Sequence, residues 1–476
     1  MPRTLPATGA PAPPYLPPAD TYDEAFEPDG TPRPAYAELI AALDRTDLGH
    51  VEEAMAAELR ARGVRFGTAA GHEPFRLDLV PRLFEAGEWT RLEAGCIQRV
   101  RALNAFVADA YGERAMVSAG RLPARVIDTA EQFEPSMVGA LVPGGVWTHV
   151  AGLDIVRDAE GRFMVLEDNL RTPSGIAYAL AARGAVRARL PETAAPRSLG
   201  GAFAALAASL RAAAPGGNDD PAVALLSDGP ANSAWYEHRE LARRLGLAIV
   251  TLDQLEVRDG RLFARTGRAR GPIDVLYRRT DCDSLRDEKG DPTRLAEILE
   301  EPCRRGLLGC VNAFGTGVAD DKLAHVYVEE MVRFYLGEEP LLPSVPSYDL
   351  GRPDLLEMAL DRLPELVIKP RSGYGGHGVV ICAHATREDR DRVAAAIAAD
   401  PGNFVAQETL MLSTHPTFCD GRLEPRHVDL RPFVYMTPER VRVVPGGLTR
   451  VALGEGALVV NSSQRGGAKD TWVLPA

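Results

Sequence analysis

Apolar residues recur at helical spacing among Glu and Arg over residues 35–59 and again over residues 88–111. This period predicts two amphipathic helical stretches that pack against a core. From about Trp147 the pattern changes to two strand-like runs, VWTHVAGLDIV and RFMVLEDNL, which the turn-forming sequence DAEG separates. The second pattern predicts an antiparallel hairpin.

Strand-like and helical segments alternate after residue 220, in the order AVALLS, a helix over residues 236–245, AIVTL and DVLYRR. This alternation is typical of an open α/β sheet, and it predicts a Rossmann-like lobe over residues 221–319. Over residues 320–476, short strands (LVIKP, GVVIC, NFVAQE, RPFVYM, RVRVVPG and ALVVN) alternate with helices and glycine-dense turns. We expect an α+β lobe there. Residues 1–21, rich in Pro and Ala, predict an extended arm, and residues 22–220 combine the helical segment with the hairpin.

The composition is that of an ordinary globular chain, with 45% hydrophobic and 25% charged residues among 476. No run of 18 apolar residues exists, and the N-terminus lacks the apolar stretch of a signal peptide, so we expect a cytoplasmic protein without membrane contact. The net charge of −12 argues against nucleic acid as a partner. The six cysteines are widely spread, which predicts reduced thiols.

Polar residues of the hairpin form the first candidate site. If the strands turn through DAEG, Asp154 lies opposite Val165 and Gly152 lies opposite Glu167. Asp154, Glu167 and Asn169 then share one face, where their oxygens could bind Mg²⁺ while phosphates and water complete the coordination. The alternative is a set of solvent-facing polar residues on an edge hairpin.

Lysine is rare in this chain, since only four of the 54 basic residues are lysines. A surviving lysine can mark a place that needs a compact ammonium group. Lys369 ends the strand LVIK and precedes residues 372–378, where four of seven residues are glycine. Such a loop can wrap phosphate oxygens, although ordinary tight turns also contain such runs. It does not match the Walker P-loop.

Lys322 falls in the first turn of a predicted helix, for which Asp320 is the expected N-cap. Glu408 ends the strand NFVAQE. A capped helix and a strand-end Glu are also the ordinary structural interpretation of these two positions. Towards the C-terminus, mixed charge beside glycine suggests an anionic site, with a solvated rim of loops as the alternative. The residues concerned are Arg426, Asp429, Arg431, Arg450, Lys469 and Asp470.

Together these segments resemble the ATP-grasp superfamily, in which two α+β subdomains hold ATP between them. In the usual order a Rossmann-like domain and two lysines precede the metal-binding strand, whereas here the hairpin comes first. The chain therefore resembles the circularly permuted ATP-grasp family related to glutathionylspermidine synthase. The resemblance runs from YDEAFEPDGTPRPAY through LEDNLRTPSG and GTGVADDK to NSSQRGGAKDTWVL. It implies a circularly permuted ATP-grasp fold, α/β and α+β, with a Rossmann-like lobe before the ATP-binding lobe.

The resemblance also implies roles for individual residues, with phosphate contacts from the lysines, a loop that covers them, and adenine or ribose contacts at the strand end. The residues expected to bind ATP are Lys322, Lys369, Ser372, Gly373, Gly375, Gly376, Gly378, Gln407 and Glu408. Asp154, Glu167 and Asn169 are expected to hold Mg²⁺. Arg171 or Arg431 is expected to steady the transferring phosphoryl group or the substrate carboxylate. Related amide ligases often carry an arginine two residues before the first metal aspartate, where this chain has Gly152.

The activity that the resemblance implies joins a small-molecule or peptide carboxylate to an amine. The carboxylate attacks the γ-phosphate of ATP to give ADP and an acyl phosphate, which the amine converts to an amide. Two alternatives remain at this point: a noncatalytic ATP-binding scaffold or regulatory module, which the Gly152 departure favours, and a kinase that does not ligate. The sequence leaves open the identity of the acid and the amine, the oligomeric state and any protein partner.

Overall fold

The structure is a computed structural model that describes residues 15–68, 71–190, 195–265, 271–281, 284–373, 378–454 and 466–476. The two predicted helical stretches before the hairpin are confirmed, and the hairpin itself is present. In chain order the elements of this first part are α1 (Ala37–Leu43), α2 (Leu48–Ala61), β1 (Arg65–Thr68), β2 (Gly71–Pro74), β3 (Arg82–Phe84), α3 (Ala86–Ala110), α4 (Ala115–Ser118), α5 (Arg125–Asp128), β4 (Val150–Arg157), β5 (Phe163–Asn169), α6 (Ile176–Arg187) and α7 (Gly201–Ala212).

The next part of the chain forms a four-stranded parallel sheet in the order β12-β11-β6-β7. Its elements are β6 (Val223–Ser227), α8 (Trp235–Leu245), β7 (Ala248–Val250), β8 (Leu255–Arg258), β9 (Arg261–Ala264), β10 (Pro272–Ile273), β11 (Val275–Arg279), α9 (Arg294–Arg304) and β12 (Gly309–Val311). Strands β8 to β10 form a separate antiparallel sheet that the sequence pattern did not predict. The parallel strands and helix α8 agree with a Rossmann-like lobe.

The last part divides between two sheets. Its elements are α10 (Lys322–Val326), α11 (Val328–Met331), a π-helix (Val332–Leu336), β13 (Ser347–Asp349), α12 (Pro353–Asp361), β14 (Leu366–Pro370), β15 (Val380–Ile381), α13 (Arg387–Ala399), β16 (Phe404–Glu408), β17 (Thr414–Cys419), β18 (Arg422–Met436), β19 (Val441–Val451) and β20 (Gly467–Val473). The small sheet has the order β13-β16-β14-β15, whereas β17 to β20 join β3, β4 and β5 in a large sheet. The predicted strand ALVVN lies outside the described residues.

The small sheet has a hydrophobic core of its own, which includes Leu350, Leu366, Ile368 and Ile397. A much larger core is shared by helix α3, the hairpin β4–β5 and the parallel sheet. The hairpin and the Rossmann-like lobe therefore pack as neighbours in one body, and the small sheet forms a second body beside them.

Asn312, at the end of β12, joins the Rossmann-like lobe to the hairpin through a buried side chain. Its Oδ1 accepts the backbone N–H groups of His149 and Val150, at 2.8 and 2.9 Å. Its Nδ2 donates to the carbonyl oxygens of Val150 and Leu170, at 2.6 and 2.5 Å. Because these backbone groups would otherwise be buried without partners, the amide fixes the end of β5 against the lobe.

The five cysteines of the described residues are free thiols. Among those residues, every helix is too short or too polar to cross a lipid bilayer.

Candidate functional site

A single cavity of about 1040 Å³ lies where the hairpin, helix α10, the small sheet and the Rossmann-like lobe meet. Its lining includes residues from segments that are far apart in sequence, among them Asp154 and Glu167 on the hairpin and Lys322 and Lys369 after the lobe. The fold thus gathers the separate sequence motifs around one space.

The hairpin register differs from the predicted one. Asp154 pairs with Glu167 rather than Val165, and Gly152 pairs with Asn169 rather than Glu167. Two deviations produce this result: the connection is one residue longer than DAEG, and a β-bulge interrupts the pairing beside Asp154. Together they shift the register by two residues, which preserves the face, so Asp154, Glu167 and Asn169 all line the cavity.

Both carboxylate oxygens of Asp154 face arginines. Arg431 donates from Nε to Oδ1 at 2.7 Å and from Nη2 to Oδ2 at 2.8 Å, and Nη2 of Arg450 lies 2.7 Å from Oδ2. Burial alone would raise the pKa of Asp154, but the two guanidinium groups outweigh it and hold that pKa below its usual value. A metal ion could use this carboxylate only by displacing a guanidinium, so Asp154 in this state is an anchor for arginines.

Gly152 explains how Arg431 reaches this position. Strand β18 runs beside β4, and the Arg431 side chain crosses over Gly152. A Cβ atom on residue 152 would lie 3.2 Å from Cδ of Arg431 and 2.9 Å from Cβ of Pro173. The missing side chain therefore leaves the room that a guanidinium from the neighbouring strand occupies.

Glu167 and Asn169 are better placed to meet a metal ion. The nearest cation to Glu167 is Lys322, whose Nζ lies 3.9 Å from Oε1. Nδ2 of Asn169 is buried without a hydrogen-bond partner. Among the described residues, no group of three or more His, Cys, Asp or Glu is arranged to hold a metal ion. A carboxylate and an amide oxygen are instead a partial ligand set, of the kind that Mg²⁺ shares with substrate phosphates.

The two candidate lysines line the cavity from different elements. Nζ of Lys322, on α10, donates to the carbonyl oxygen of Gly373 at 3.0 Å. Nζ of Lys369, on β14, donates to Oε1 of Gln407 at 2.5 Å. Burial lowers the pKa of Lys369 to about 8; Glu167 opposes this shift and Lys322 adds to it. A bound polyanion would relieve the cost of placing two ammonium groups near each other.

The glycine-rich loop is described only in part. Ser372 and Gly373 follow β14, and Gly378 precedes β15, while Gly375 and Gly376 lie outside the described residues. Gly373 and Gly378 have φ values of 107° and 73°, a conformation that favours glycine. Lys322 and this loop are thus already in contact before any ligand is considered.

At the end of β16, Gln407 and Glu408 use their side chains within the small sheet. Nε2 of Gln407 donates to Oγ of Ser347 at 2.9 Å. Glu408 accepts the hydroxyl of Tyr348 at 2.6 Å and an N–H of Arg362 at 3.0 Å. Both residues line the cavity, and their hydrogen bonds hold the strand end that would meet the base or ribose.

The expected N-cap of helix α10 was wrong by one residue. Asp321, not Asp320, accepts the N–H of Leu323. Asp320 instead accepts the backbone N–H of Leu170 at 2.6 Å and lies 3.4 Å from Nε of Arg171. Burial raises the pKa of Asp320 to about 7, although Arg171 opposes the shift. Asp320 also lines the cavity, and it joins the end of β5 to the helix that carries Lys322.

The C-terminal charges do not form one anionic site. Asp429, Arg431 and Arg450 line the cavity. Lys469 is fully buried elsewhere, paired with Asp78 and donating to the carbonyl oxygen of Pro416 at 2.9 Å. The two others also pair away from the cavity, Asp470 with Arg183 and Arg426 with Glu424. Alternation along the strands places Arg426 and Lys469 on the opposite face of the large sheet. Asp470 shares the face of Arg431 but lies two strands away on β20, where Arg183 of α6 binds it.

Sequence reasoning missed the end of the cavity that the Rossmann-like lobe forms. The lining there includes Phe66 on β1, residues 230–234 after β6, His238 on α8 and Arg279 at the end of β11. The order of strands and helices did hold a signal, because ligands of open α/β sheets bind beyond the carboxyl ends of the strands. The contribution of β1 had no comparable signal.

The chain matches one protein-family model and several bacterial proteins. The model of the family described as circularly permuted ATP-grasp type 2 matches residues 81–452. A protein of Mycobacterium tuberculosis is 41% identical over 465 residues, which cover 96% of this chain and 84% of that protein. A protein of Synechocystis is 40% identical over 469 residues, which cover 96% of this chain and 98% of that protein.

A longer relative from Frankia casuarinae, provisionally named glutamate–cysteine ligase 2-2, is 45% identical over 463 residues. The match covers 95% of this chain but only 53% of that protein, so the chain spans about half the length of this relative. Among solved structures, a glutathione synthetase-like effector from Globodera pallida in its apo form has a TM-score of 0.59. That similarity covers 90% of this chain and 98% of the effector at 10% identity, which shows a shared fold.

Proposed function

Because the chain belongs to the circularly permuted ATP-grasp family, type 2, we propose that it is an ATP- and Mg²⁺-dependent ligase that joins a carboxylate to an amine. One observation carries the proposal. Lys322 and Lys369, which lie more than 150 residues after Glu167 in the sequence, line the same cavity as Glu167. A nucleoside triphosphate with its metal ion requires cations and a glycine-rich loop around the phosphates and a carboxylate for the metal ion. The two ammonium groups, Glu167 and the loop could meet these requirements.

The residues present fit a magnesium ion. Glu167 and Asn169 would hold it, since their oxygens are less committed than those of Asp154. When bound, Mg²⁺ neutralises phosphate charge and aligns the phosphoryl group for transfer. The protein positions Glu167 and Asn169 for the ion, because Asn312 fixes the end of β5, the strand that carries both residues.

Lys322 and Lys369 then neutralise the phosphates, and Arg431 lies beside them at the hairpin face. The acid's carboxylate oxygen forms a bond to the γ-phosphorus while the bond to the ADP oxygen breaks. The amine nitrogen next forms a bond to the acyl carbon, the bond to phosphate breaks, and phosphate and a proton leave. Bound geometry and exclusion of water provide most of the rate enhancement for such chemistry.

Arg431 takes the role that the resemblance gave to either of two arginines. Its guanidinium is held by both oxygens of Asp154, and it passes over the position where related ligases carry their own arginine. Arg171 is paired with Asp320 at the other side of the metal strand and is better placed for the substrate carboxylate. This arrangement weakens the argument that the glycine at position 152 makes the site inactive.

The name of the Frankia relative does not define the substrates. That protein is about twice as long as the match, and the named activity belongs to the whole of it. We therefore propose the reaction class without the amino acids in that name: an acid and an amine of small-molecule or peptide size, with no nucleic acid, in the cytoplasm.

Hydroxylamine gives a direct test, since it replaces the amine and converts an acyl phosphate to a hydroxamate. The protein is incubated with ATP, Mg²⁺, hydroxylamine and a panel of carboxylic acids, and ADP and hydroxamate are measured. A ligase produces both in equal amounts with some acid. A kinase that does not ligate would also give ADP and hydroxamate, because it releases the acyl phosphate, but it would form no amide when candidate amines replace hydroxylamine. A scaffold binds ATP and releases no ADP with any acid, which would refute the proposal.

A further inference from the structure

One end of the cavity lies beyond the residues assigned to ATP and magnesium. We call it the lobe-side pocket, and define it by Phe66 and Gly67 of β1, His72 of β2, residues 230–234, His238 and Arg279, all of which line the cavity. It lies at the carboxyl ends of β6 and β11, and the segment Thr172 to Ser174 separates it from the metal strand. A molecule whose reacting group meets the phosphates would extend into this pocket.

The hairpin β1–β2 forms a fitted wall of the pocket. The N–H of Gly67 donates to the carbonyl oxygen of Ser233 at 2.8 Å, and Nε2 of His72 lies 3.1 Å from the carbonyl oxygen of Asn232. A Cβ atom on residue 67 would lie only 2.4 Å from Cα of Ser233, so the approach depends on glycine. The family model begins at residue 81, so this wall precedes the region that defines the family.

His238 presents a neutral hydrogen-bond donor at the base of the pocket. Its Nδ1 lies 2.8 Å from Oγ of Ser227, which already accepts the N–H of Gly229. The serine proton is therefore best used on Nδ1, which leaves the imidazole proton on Nε2. Burial, aided by Arg279, lowers the pKa of His238 to about 3. The ring can donate a hydrogen bond to a carbonyl or carboxylate oxygen without carrying charge.

Arg279 does not give the pocket a net positive charge. Its Nη2 lies 3.0 Å from Oε1 of Glu237, and both side chains are buried. Its Nη1 donates to the carbonyl oxygen of Pro173 at 2.7 Å, while Nε is buried without a hydrogen-bond partner. The guanidinium is thus balanced in charge, and the N–H group at Nε has no acceptor within the protein.

The two ends of the cavity differ sharply in charge. At the phosphate end Arg431 and Arg450 are paired with Asp154 and Asp429. Lys322, in contrast, lies 3.9 Å from Glu167 and Lys369 donates to the neutral Gln407, so the two ammonium groups suit a polyanion. In the lobe-side pocket, as defined above, the only Lys or Arg is Arg279, which Glu237 neutralises. Phe66, Gly67, the imidazole rings of His72 and His238, and the residues 230–234 form the rest of its surface. A substrate body with extra carboxylates or phosphates would lose hydration there without gaining cations, whereas amide carbonyls would find donors.

We propose that the lobe-side pocket holds the body of the acid substrate and selects an aminoacyl or peptide-like acid, neutral or zwitterionic apart from its reacting carboxylate, over polyanionic acids. This inference rests on the proposed ligase function. It assigns specificity to the β1–β2 hairpin and residues 230–234, and it leaves ATP binding to the other end of the cavity.

Ala231→Trp tests the pocket, because Ala231 is exposed and lines the cavity, so a large ring can fill the space without entering the core. The matched control is Ala398→Trp, on an exposed position of α13 outside the cavity lining. Hydroxamate formation is measured with a mixture of dipeptides and, separately, with citrate. We expect turnover with dipeptides, little with citrate, and a KM for dipeptide at least tenfold higher in A231W, with the Kd for ATP within twofold of the control.

Gly67→Ala supplies an independent route, because the added methyl group must push the hairpin away from Ser233. It should also raise the KM for dipeptide while ATP affinity persists. Preference for citrate over dipeptides, or an unchanged KM in both variants, would overturn the pocket assignment while the ligase proposal stands. Absence of hydroxamate with every acid, with ATP binding intact, would instead refute the ligase proposal itself.

Discussion

Replacement of Lys369 by alanine should weaken ATP binding with little effect on stability. Lys369 is part-buried at the end of β14, where its Nζ donates to Gln407 and faces the cavity. Burial lowers its pKa to about 8, so the fold keeps this ammonium in an unfavourable place. Removal of the ammonium should therefore leave the melting temperature unchanged or raise it, which separates a binding role from a structural one.

The magnitude follows from the contact that is lost. A charge-assisted hydrogen bond to phosphate contributes about 1.5–3 kcal/mol, which corresponds to a roughly ten- to 150-fold rise in the Kd for ATP. Lys322 and the glycine-rich loop remain, since Lys322 contacts Gly373 of that loop without using Lys369. Their presence should keep weak binding measurable in the variant.

Isothermal titration calorimetry with ATP and Mg²⁺ measures this effect. Lys289→Ala is the matched control, because Lys289 is exposed and belongs to a turn outside the cavity lining. The reasoning predicts wild-type affinity for that variant. Equal ATP affinity in the Lys369 and Lys289 variants would show that the cavity is not the nucleotide site.

Four further outcomes are expected. Glu167→Gln should keep the fold and reduce Mg²⁺-dependent turnover far more than the Kd for ATP, as steady-state kinetics beside calorimetry would reveal; unchanged ADP release would make the hairpin merely a polar edge. Arg431→Ala should reduce kcat at least tenfold with a smaller change in the Kd for ATP, and an unaltered kcat would exclude Arg431 from the transition state. ATP affinity should fall as pH rises above about 8, because Lys369 loses its proton there in the free protein, whereas bound phosphate stabilises the protonated ammonium group. Lys369→Arg should flatten this pH profile of ATP affinity, and an unchanged slope in the variant would assign the pH effect to another group. Lys469→Met should lower the free energy of unfolding by about 3–5 kcal/mol through the stranded Asp78, and denaturant unfolding that matches wild type would contradict the buried pairing.

The sequence predicted the face of the hairpin but not its register. Alternation alone determines which side Asp154, Glu167 and Asn169 share. The longer connection and the β-bulge each shift the pairing by one residue, and a total shift of two residues keeps the same face. A β-bulge has no reliable local signal, because the extra residue is accommodated by tertiary packing. The identity of the candidate metal face was therefore accessible, whereas the pairing of Asp154 with Glu167 was not.

Contacts between distant segments lay beyond sequence reasoning. Asp320 and Asp321 are equally good caps by residue type, and the difference arises because the end of β5 offers backbone N–H groups to Asp320. Arg431 reaches the site across strands, which a search along the strand at Gly152 cannot detect. Lys469 looked like a candidate anion ligand because burial against Asp78 is invisible in composition.

The separate core of the small sheet has a mechanical consequence. Residues 347–408 carry Lys369, Gln407 and Glu408 on a body with its own apolar interior. Strand β5, in contrast, is joined to the Rossmann-like lobe by the hydrogen bonds of Asn312. Ion pairs of Asp349 with Arg125 and of Arg371 with Asp321 join this body to the rest of the protein, so movement of the body as a unit would require these pairs to break. Bound ATP would contact both the small sheet and the hairpin, so amide hydrogen exchange should slow in both parts together when ATP binds. Without ATP, the backbone amides of the small sheet should exchange faster than those of the hairpin.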